Sequence, residues 1–179
     1  MGERPAGEVE ALMSRYQQAD GEATATLIAR LSPQIFQFFL AQVRDRSLAE
    51  DLLQDFWLRV HKARHTYRAS EPLLPWVFAI ARRTKVDQYR RTRNIKSHEF
   101  QVEELPETAT RAPERKNTPE ISEFLRTLPT AQRETIWLLK VSGLSLEEVA
   151  RATGSSVGAV KQRAHRAYEK LRKVFGESA

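Results

Sequence analysis

The sequence predicts an all-α protein made of two small helical domains joined by a flexible linker. Apolar residues recur three and four positions apart along most of the chain, the spacing of one buried helix face, and no stretch alternates as a strand would. This periodicity lapses where prolines, threonines and glutamates accumulate, as they do in linkers. We therefore expect an N-terminal segment over residues 1–19, a first domain over 20–95, a linker over 96–118 and a second domain over 119–175.

The composition limits the classes of function. The chain has 179 residues, a net charge of +6 and a pI of about 9.8, which favours a polyanionic partner. It contains no cysteine, so disulfides, cysteine-ligated metals and thiol-based sensing are excluded. No apolar run approaches membrane-spanning length and the N-terminus lacks a signal-peptide pattern, so we expect a cytoplasmic protein. We expect no cofactor and no small-molecule substrate.

The start of the first domain contains several short helical patterns. Asp20 precedes a periodic stretch and can cap the helix that follows it. Ser32 and Pro33 indicate a restart, because proline suits the first turn of a helix. The charged residues 44–46 then predict a turn. We therefore expect two helices between Asp20 and this turn.

The clearest helix of the first domain is predicted over residues 47–63. Ser47 and Glu50 have the spacing of a capping box, in which the two side chains bond reciprocally to first-turn backbone groups. An apolar stripe along this helix suits the domain core. A second face carries a cluster of the kind that is usually only a solvated surface: Asp51, Gln54, Asp55 and Leu58.

A long basic helix is predicted over residues 75–94, after a loop over 65–74. The stretch Arg82–Lys96 carries seven lysines and arginines against a single acid. Because cations meet phosphates and aromatic rings stack on unpaired bases, this helix suits single-stranded nucleic acid. Trp76 and Phe78 could stack on bases in this way, or they could instead be side chains of the hydrophobic core.

The stretch Ser145–Phe175 predicts a helix-turn-helix. Ser145 and Glu148 form a capping box that starts a short helix. Gly154 then supplies the turn, since glycine adopts positive φ without strain. A longer basic helix follows, and in this motif the second helix enters the DNA major groove with its N-terminus first.

The outer face of this second helix is polar and basic. Such a face is usually a solvated surface, but Ala150, Gly154 and Val160 fit the packing positions of the helix-turn-helix, so we predict that it reads DNA. Ser155 or Ser156 caps the helix. The candidate DNA contacts are Ser156, Lys161, Gln162, Arg163, His165 and Arg166.

Three segments, in this order, resemble parts of bacterial sigma factors of the extracytoplasmic-function type. Ala49–Ala63 resembles the polymerase-binding helix, Pro75–Arg91 the downstream-promoter helix and Leu128–Arg172 the fourth domain of that family. The resemblance covers roughly residues 20–175. It implies a sigma2-like domain, a sigma4-like domain and a non-enzymatic initiation factor without catalytic residues or metal.

The resemblance also assigns roles to the candidate residues. The cluster at residues 51–58 would dock on the β′ clamp helices of core RNA polymerase, and the sigma4-like domain would bind the β flap and read the −35 element. His165 stands where relatives commonly have an aromatic residue. Family members are commonly held inactive by an anti-sigma factor, often membrane-anchored, and we expect such a partner. The residues assigned to the −10 element and to melting are Tyr67, Arg68, Arg82, Arg83, Lys85 and Tyr89.

Two other classes of protein fit parts of the sequence. A one-component helix-turn-helix regulator would act without stable binding to core polymerase, but it needs a ligand pocket or a dimerisation surface in the first half. A nucleic-acid enzyme needs clustered carboxylates or histidines at metal spacing. His61 and His65 are four residues apart, yet no further ligand completes a site, so we interpret them as surface residues.

Overall fold

The computed structural model describes residues 7–99 and 125–176, with side chains described over 7–93 and 125–173. Every regular element in these ranges is helical, which confirms the all-α prediction for this part of the chain. The predicted linker lies outside the described residues except for positions 96–99, which are the end of a helix. The first group of elements is α1 (Glu8–Gln17), α2 (Gly21–Val43), α3 (Arg46–Ala63), a 3₁₀ turn (Arg64–Thr66) and α4 (Leu73–Glu99). The second group is α5 (Thr130–Ile136), a π-helical continuation (Trp137–Val141), α6 (Leu146–Thr153) and α7 (Val157–Gly176).

An aromatic cluster forms the centre of the α1–α4 core. Phe38 lies 5.7 Å from Phe39 and 5.4 Å from Phe78, measured between ring centroids. Phe39 lies 6.2 Å from Phe56, and the rings meet at 71°. All four side chains are buried. Phe78 is therefore a core residue, as one of the two sequence interpretations held.

The predicted break at Ser32 and Pro33 is wrong, because α2 runs without interruption from Gly21 to Val43. Proline inside a helix removes one hydrogen bond and costs about 3 kcal/mol. The apolar stripe on both sides of Pro33 is buried, and each large apolar side chain contributes about 1.5–3 kcal/mol on burial. This burial outweighs the cost of the proline. The buried residues of the stripe are Leu27, Leu31, Ile35, Phe38 and Phe39.

The predicted capping box at Ser47 and Glu50 is also wrong. Arg44 ends α2 in a left-handed conformation with φ of 58°, so the next extended residue is Asp45. The Asp45 carboxylate accepts a 2.9 Å hydrogen bond from the Leu48 N–H and caps α3. Glu50 instead pairs with Arg46 at 2.9 Å.

The helix-turn-helix at the end of the chain forms as predicted. Ser145 and Glu148 make both hydrogen bonds of the capping box, at 3.1 and 2.7 Å. Gly154 ends α6 with φ of 61°, a conformation that a side chain would strain. The Ser156 hydroxyl accepts a 3.1 Å hydrogen bond from Ala159 N–H, so Ser156 is the cap of α7. Val160 is fully buried against this turn.

Candidate nucleic-acid and polymerase interfaces

One side of α7 is buried and the other is open. Val160, Ala164 and Ala167 are buried in the core of the second group of helices. The opposite side presents four of the predicted DNA contacts to solvent, as the helical period requires. These exposed residues are Lys161, Gln162, His165 and Arg166. His165 Nε2 lies 3.7 Å from the Glu169 carboxylate, and both side chains are exposed.

Arg163 occupies a different place on α7. Its side chain is half-buried and donates a 3.2 Å hydrogen bond to the Ser155 hydroxyl. Ser155 in turn shares a 2.6 Å hydrogen bond with the Thr153 hydroxyl. Arg163 therefore links the recognition helix to the turn before it. This use of Ser155 could not be predicted, because either serine fits a cap by residue type.

The predicted polymerase-binding face of α3 is exposed at three of its four positions. Asp51, Gln54 and Leu58 are open to solvent, and Leu58 is 61% exposed. Asp55 is half-buried and pairs with Arg59 at 3.1 Å. Leu58 is thus an apolar side chain with polar and acidic side chains beside it on the same face of α3.

Arg59 also joins α3 to α4, a role that sequence analysis missed. Its guanidinium donates a 2.6 Å hydrogen bond to the Asp87 carboxylate. This bond to Arg59 holds the pKa of Asp87 below its usual range. Asp87 is the acid within the basic stretch of α4, so its charge serves the packing of the two helices.

The loop between α3 and α4 divides the two residues predicted to meet the −10 element. Arg68 is exposed, whereas Tyr67 is only 4% exposed. The Tyr67 hydroxyl donates a 2.6 Å hydrogen bond to the Glu71 carbonyl, and its ring lies 5.6 Å from Trp76. Burial, with smaller effects from nearby Glu10 and Glu71, raises the pKa of Tyr67 to about 12. In this conformation Tyr67 shapes the loop and is not free to stack on a base.

Of the four candidate residues on α4, two are exposed and two pair with a glutamate. Arg83 and Tyr89 are exposed, Tyr89 to 68%. Arg82 Nε and Lys85 Nζ instead lie 3.4 and 3.3 Å from the two carboxylate oxygens of Glu134, which belongs to α5. Burial lowers the pKa of Lys85, although Glu134 acts in the opposite direction.

A second contact joins α2 to α5, through Arg133 of α5. The Arg133 guanidinium donates hydrogen bonds to the carbonyls of Gln42 at 3.2 Å and Leu128 at 3.1 Å. Burial lowers the pKa of Arg133. Within the described part of the chain, the amide of Gln42 and Nε of Arg133 are buried without a hydrogen-bond partner. The contact between the two groups of helices therefore includes buried polar groups that are incompletely satisfied.

Neither a metal site nor a membrane-spanning helix has a candidate over residues 7–99 and 125–176. No three His, Cys, Asp or Glu side chains there converge on a point where a metal ion could be held. His61 Nδ1 lies 2.9 Å from the Tyr16 hydroxyl. None of the helices in these ranges combines the length and apolar character needed to cross a bilayer.

Comparison with known families matches both groups of helices. Residues 27–95 match the family described as Sigma-70 region 2, and residues 119–171 match Sigma-70, region 4. The chain is 34% identical to RNA polymerase sigma factor CarQ of Myxococcus xanthus over 92% of this chain and 96% of that protein. It is 31% identical to ECF RNA polymerase sigma factor SigF of Caulobacter vibrioides, over 91% of each.

A solved structure with the same fold is that of the sigma factor RpoE in complex with the anti-sigma factor NepR from Bartonella quintana. The TM-score is 0.73 at 24% identity, covering 86% of this chain and 96% of that one. These comparisons agree with the geometry of the exposed recognition helix and of the acidic face of α3. The chain belongs to the extracytoplasmic-function sigma factors of the sigma-70 family.

Proposed function

We propose that this sigma factor directs core RNA polymerase to its promoters through three separate surfaces. The exposed side of α7 reads the −35 element as duplex. Arg68 in the loop before α4, together with the cations Arg82, Arg83 and Lys85, engages the −10 element as its strands separate. The face of α3 around Leu58 docks on the β′ clamp helices.

The observation that carries the proposal is the exposed polar side of α7 within an intact helix-turn-helix. Gln162 and Arg166 are exposed on the N-terminal half of the helix, which is the half that reaches base edges in this motif. Glutamine pairs with adenine and arginine with guanine through two hydrogen bonds each. The buried stripe behind them fixes the direction in which they project.

The exposed face of α3 supports docking on polymerase. Leu58 is an open apolar side chain beside the acids Asp51 and Asp55, so a partner that covers this face would bury apolar surface within a polar rim. The chain acts in the cytoplasm and catalyses no covalent step.

We also propose that an anti-sigma factor controls this chain. The similar RpoE structure contains the anti-sigma factor NepR. In this chain Arg82 and Lys85 of α4 already pair with Glu134 of α5, so a partner that favours this closed arrangement of the two groups of helices would keep these cations from DNA. The β flap is the expected contact of the second group of helices when that arrangement opens.

Run-off transcription with purified core polymerase tests the proposal. Templates are drawn from start sites mapped after overproduction of the chain, so that the shared −35 and −10 sequences are known. We expect specific transcripts only when both the chain and core polymerase are present. Binding of promoter DNA by the chain alone, with no dependence on core polymerase and no transcript, would identify a one-component regulator instead.

A further inference from the structure

Helix α1 holds both ends of the loop that contains Arg68. At the entrance of the loop, the Gln17 side-chain amide donates hydrogen bonds to the Arg64 carbonyl at 2.7 Å and to the Tyr67 carbonyl at 2.9 Å. At the exit, the Glu10 carboxylate accepts a 3.0 Å hydrogen bond from the Leu73 N–H. The loop is therefore bonded at its first and last residues to one helix.

The spacing of these two side chains explains why one helix can do this. Glu10 and Gln17 are seven residues apart, which is close to two full turns, so both lie on the same side of α1. Their Cα atoms are separated by about 10 Å along the helix axis. Met13, between them on α1, is fully buried and anchors the helix to the core.

Between its two ends the loop has little structure of its own. Residues 68–72 are all exposed, and the backbone bond from Glu71 N–H to the Arg68 carbonyl, at 3.0 Å, closes a single turn. The hydroxyl of the buried Tyr67 adds a hydrogen bond to the Glu71 carbonyl. The shape of the exposed segment thus depends on where its two ends are held.

We propose that Glu10 and Gln17 are positioning residues for promoter recognition, and that they determine which unpaired base the 68–72 loop accepts. This inference rests on the proposed role of the loop at the −10 element. A base that leaves the duplex is selected by donors and acceptors at fixed places, including backbone groups of the loop that receives it. A shift in the loop ends moves these groups and changes the preference, although neither side chain touches DNA.

The proposal extends the specificity determinants beyond the matched family region. The match to Sigma-70 region 2 begins at residue 27, so α1 lies outside it. A purely structural α1 would stabilise the fold and leave base preference unchanged. The two roles differ in what is measured, because one changes a ratio of affinities and the other changes the free energy of unfolding.

The experiment uses the full chain with core polymerase on templates that are already unpaired at the −10 element. Each unpaired position carries each of the four bases in turn, and competition gives the ratio of affinities. For Gln17→Leu and Glu10→Ala we expect the preference at one position to fall by about fivefold, the factor that an ordinary hydrogen bond contributes. Glu10→Gln keeps an acceptor oxygen and should retain most of the preference.

Matched control variants separate the effect of losing a bond to the loop from the effects of lost charge and of lower fold stability. Glu8→Ala removes a carboxylate from the same helix, where Glu8 pairs with the exposed Arg30 at 2.6 Å. Gln18→Leu makes the same change as Gln17→Leu one residue later, at an exposed site. Both controls should keep the preference of the original chain. Amide exchange at Leu73 gives a reading without DNA, and it should accelerate in Glu10→Ala but not in Glu10→Gln.

Two outcomes would overturn the inference, and they can be told apart. If Arg68→Ala removes the base preference while Gln17→Leu and Glu10→Ala retain it, the loop reads DNA and α1 is only structural. If the original chain has no preference and Arg68→Ala changes nothing, the proposed role of the loop fails and the role of α1 fails with it.

Discussion

Among single residues, Tyr67 has an ionisation that affects the stability of the fold. Its pKa is about 12 against a reference of 10.0, because burial disfavours the phenolate. The folded chain therefore holds this proton more tightly than the unfolded chain. The resulting stability is fully present below pH 10 and is lost as the pH rises towards 12. We expect this ionisation to remove about 1 kcal/mol of stability by about pH 11.

Denaturant unfolding at a series of alkaline pH values measures this effect. Tyr67→Phe should lose about 1 kcal/mol at neutral pH, since its bond to the Glu71 carbonyl is absent, but should decline less between about pH 10 and 12. Tyr89→Phe is the control, because Tyr89 is 68% exposed. Equal alkaline losses in both variants would show that the Tyr67 proton is not the cause.

Single residues of α7 should separate base reading from phosphate binding. Gln162→Ala and Arg166→Ala should each relax the preference at one −35 position, by roughly 1–3 kcal/mol of discrimination. Arg163 is half-buried at the edge of this face and is better placed for phosphate. Arg163→Ala should weaken binding to all sequences alike and lower the salt slope by about one unit.

Competition between −35 duplexes for the complex with core polymerase, at several salt concentrations, gives both quantities. Lys173→Ala is the control, since Lys173 is exposed near the far end of the same helix. If all three α7 variants lost affinity equally at every position, with the same salt slope, the division between base and phosphate contacts would be wrong.

How well the exposure and contacts of a single residue could be predicted depended on the element in which the residue lies. On α7 the helical period alone separated the exposed contacts from Val160 and Ala164. Tyr67 lies in a loop, where no period applies, and its burial depends on Trp76 and on α1. Arg59 was missed because its partner Asp87 comes from another helix, 28 residues later.

At the scale of whole helices, α3 packs on α4 with one side and has another side that we propose for polymerase. Arg59 fixes it to α4 through Asp87, on one side. Asp51, Gln54 and Leu58 remain open on the side proposed for polymerase. A substitution at Asp55 would disturb both, because its carboxylate pairs with Arg59 at 3.1 Å. Asp51 and Leu58 therefore test the polymerase surface more cleanly than Asp55.

We expect Asp51→Lys and Leu58→Ala to weaken binding to core polymerase, each by tenfold or more, since a buried anchor at an interface contributes about 2 kcal/mol. Titration of labelled chain with core polymerase measures the affinity. Glu50→Lys is the charge-matched control, because Glu50 lies about 100° around the helix from Asp51 and pairs with Arg46. Helical content should be unchanged in all three. Equal affinities for the original chain and both test variants would place the polymerase contact elsewhere.

Helix types and most helix bounds were predictable, whereas two helix starts were not. The sequence pointed to Ser47 with Glu50 as the start of α3, and residues 44–46 were interpreted only as a turn. The left-handed Arg44 instead places the extended Asp45 at the start of α3, where its carboxylate caps the helix. At Pro33, burial of the stripe on either side outweighed the local preference for a break.

At the scale of the whole molecule, the two groups of helices are joined in part by cations that we propose to engage the −10 element. Arg82 and Lys85 contact Glu134, and α4 packs along α6. The same contact buries Gln42 and Arg133 with some of their polar atoms unpaired. Burying charge and unpaired polar groups costs free energy, which limits the net stability of the closed arrangement. Such a contact can be opened by a partner that binds either surface.

Glu134→Ala should shift the free chain towards an open arrangement. Lys85 is 13% exposed and would lose its acidic partner, which costs about 2 kcal/mol and favours opening by roughly 30-fold. We expect faster amide exchange in α6 and a larger radius of gyration in solution. The free chain should also bind unpaired −10 DNA more tightly, because Arg82 and Lys85 become available. Glu147→Ala removes an exposed acid from the first turn of α6 and should change none of these. If Glu134→Ala and Glu147→Ala gave the same exchange rates and radius, the ion pairs to Glu134 would not be what holds the closed arrangement.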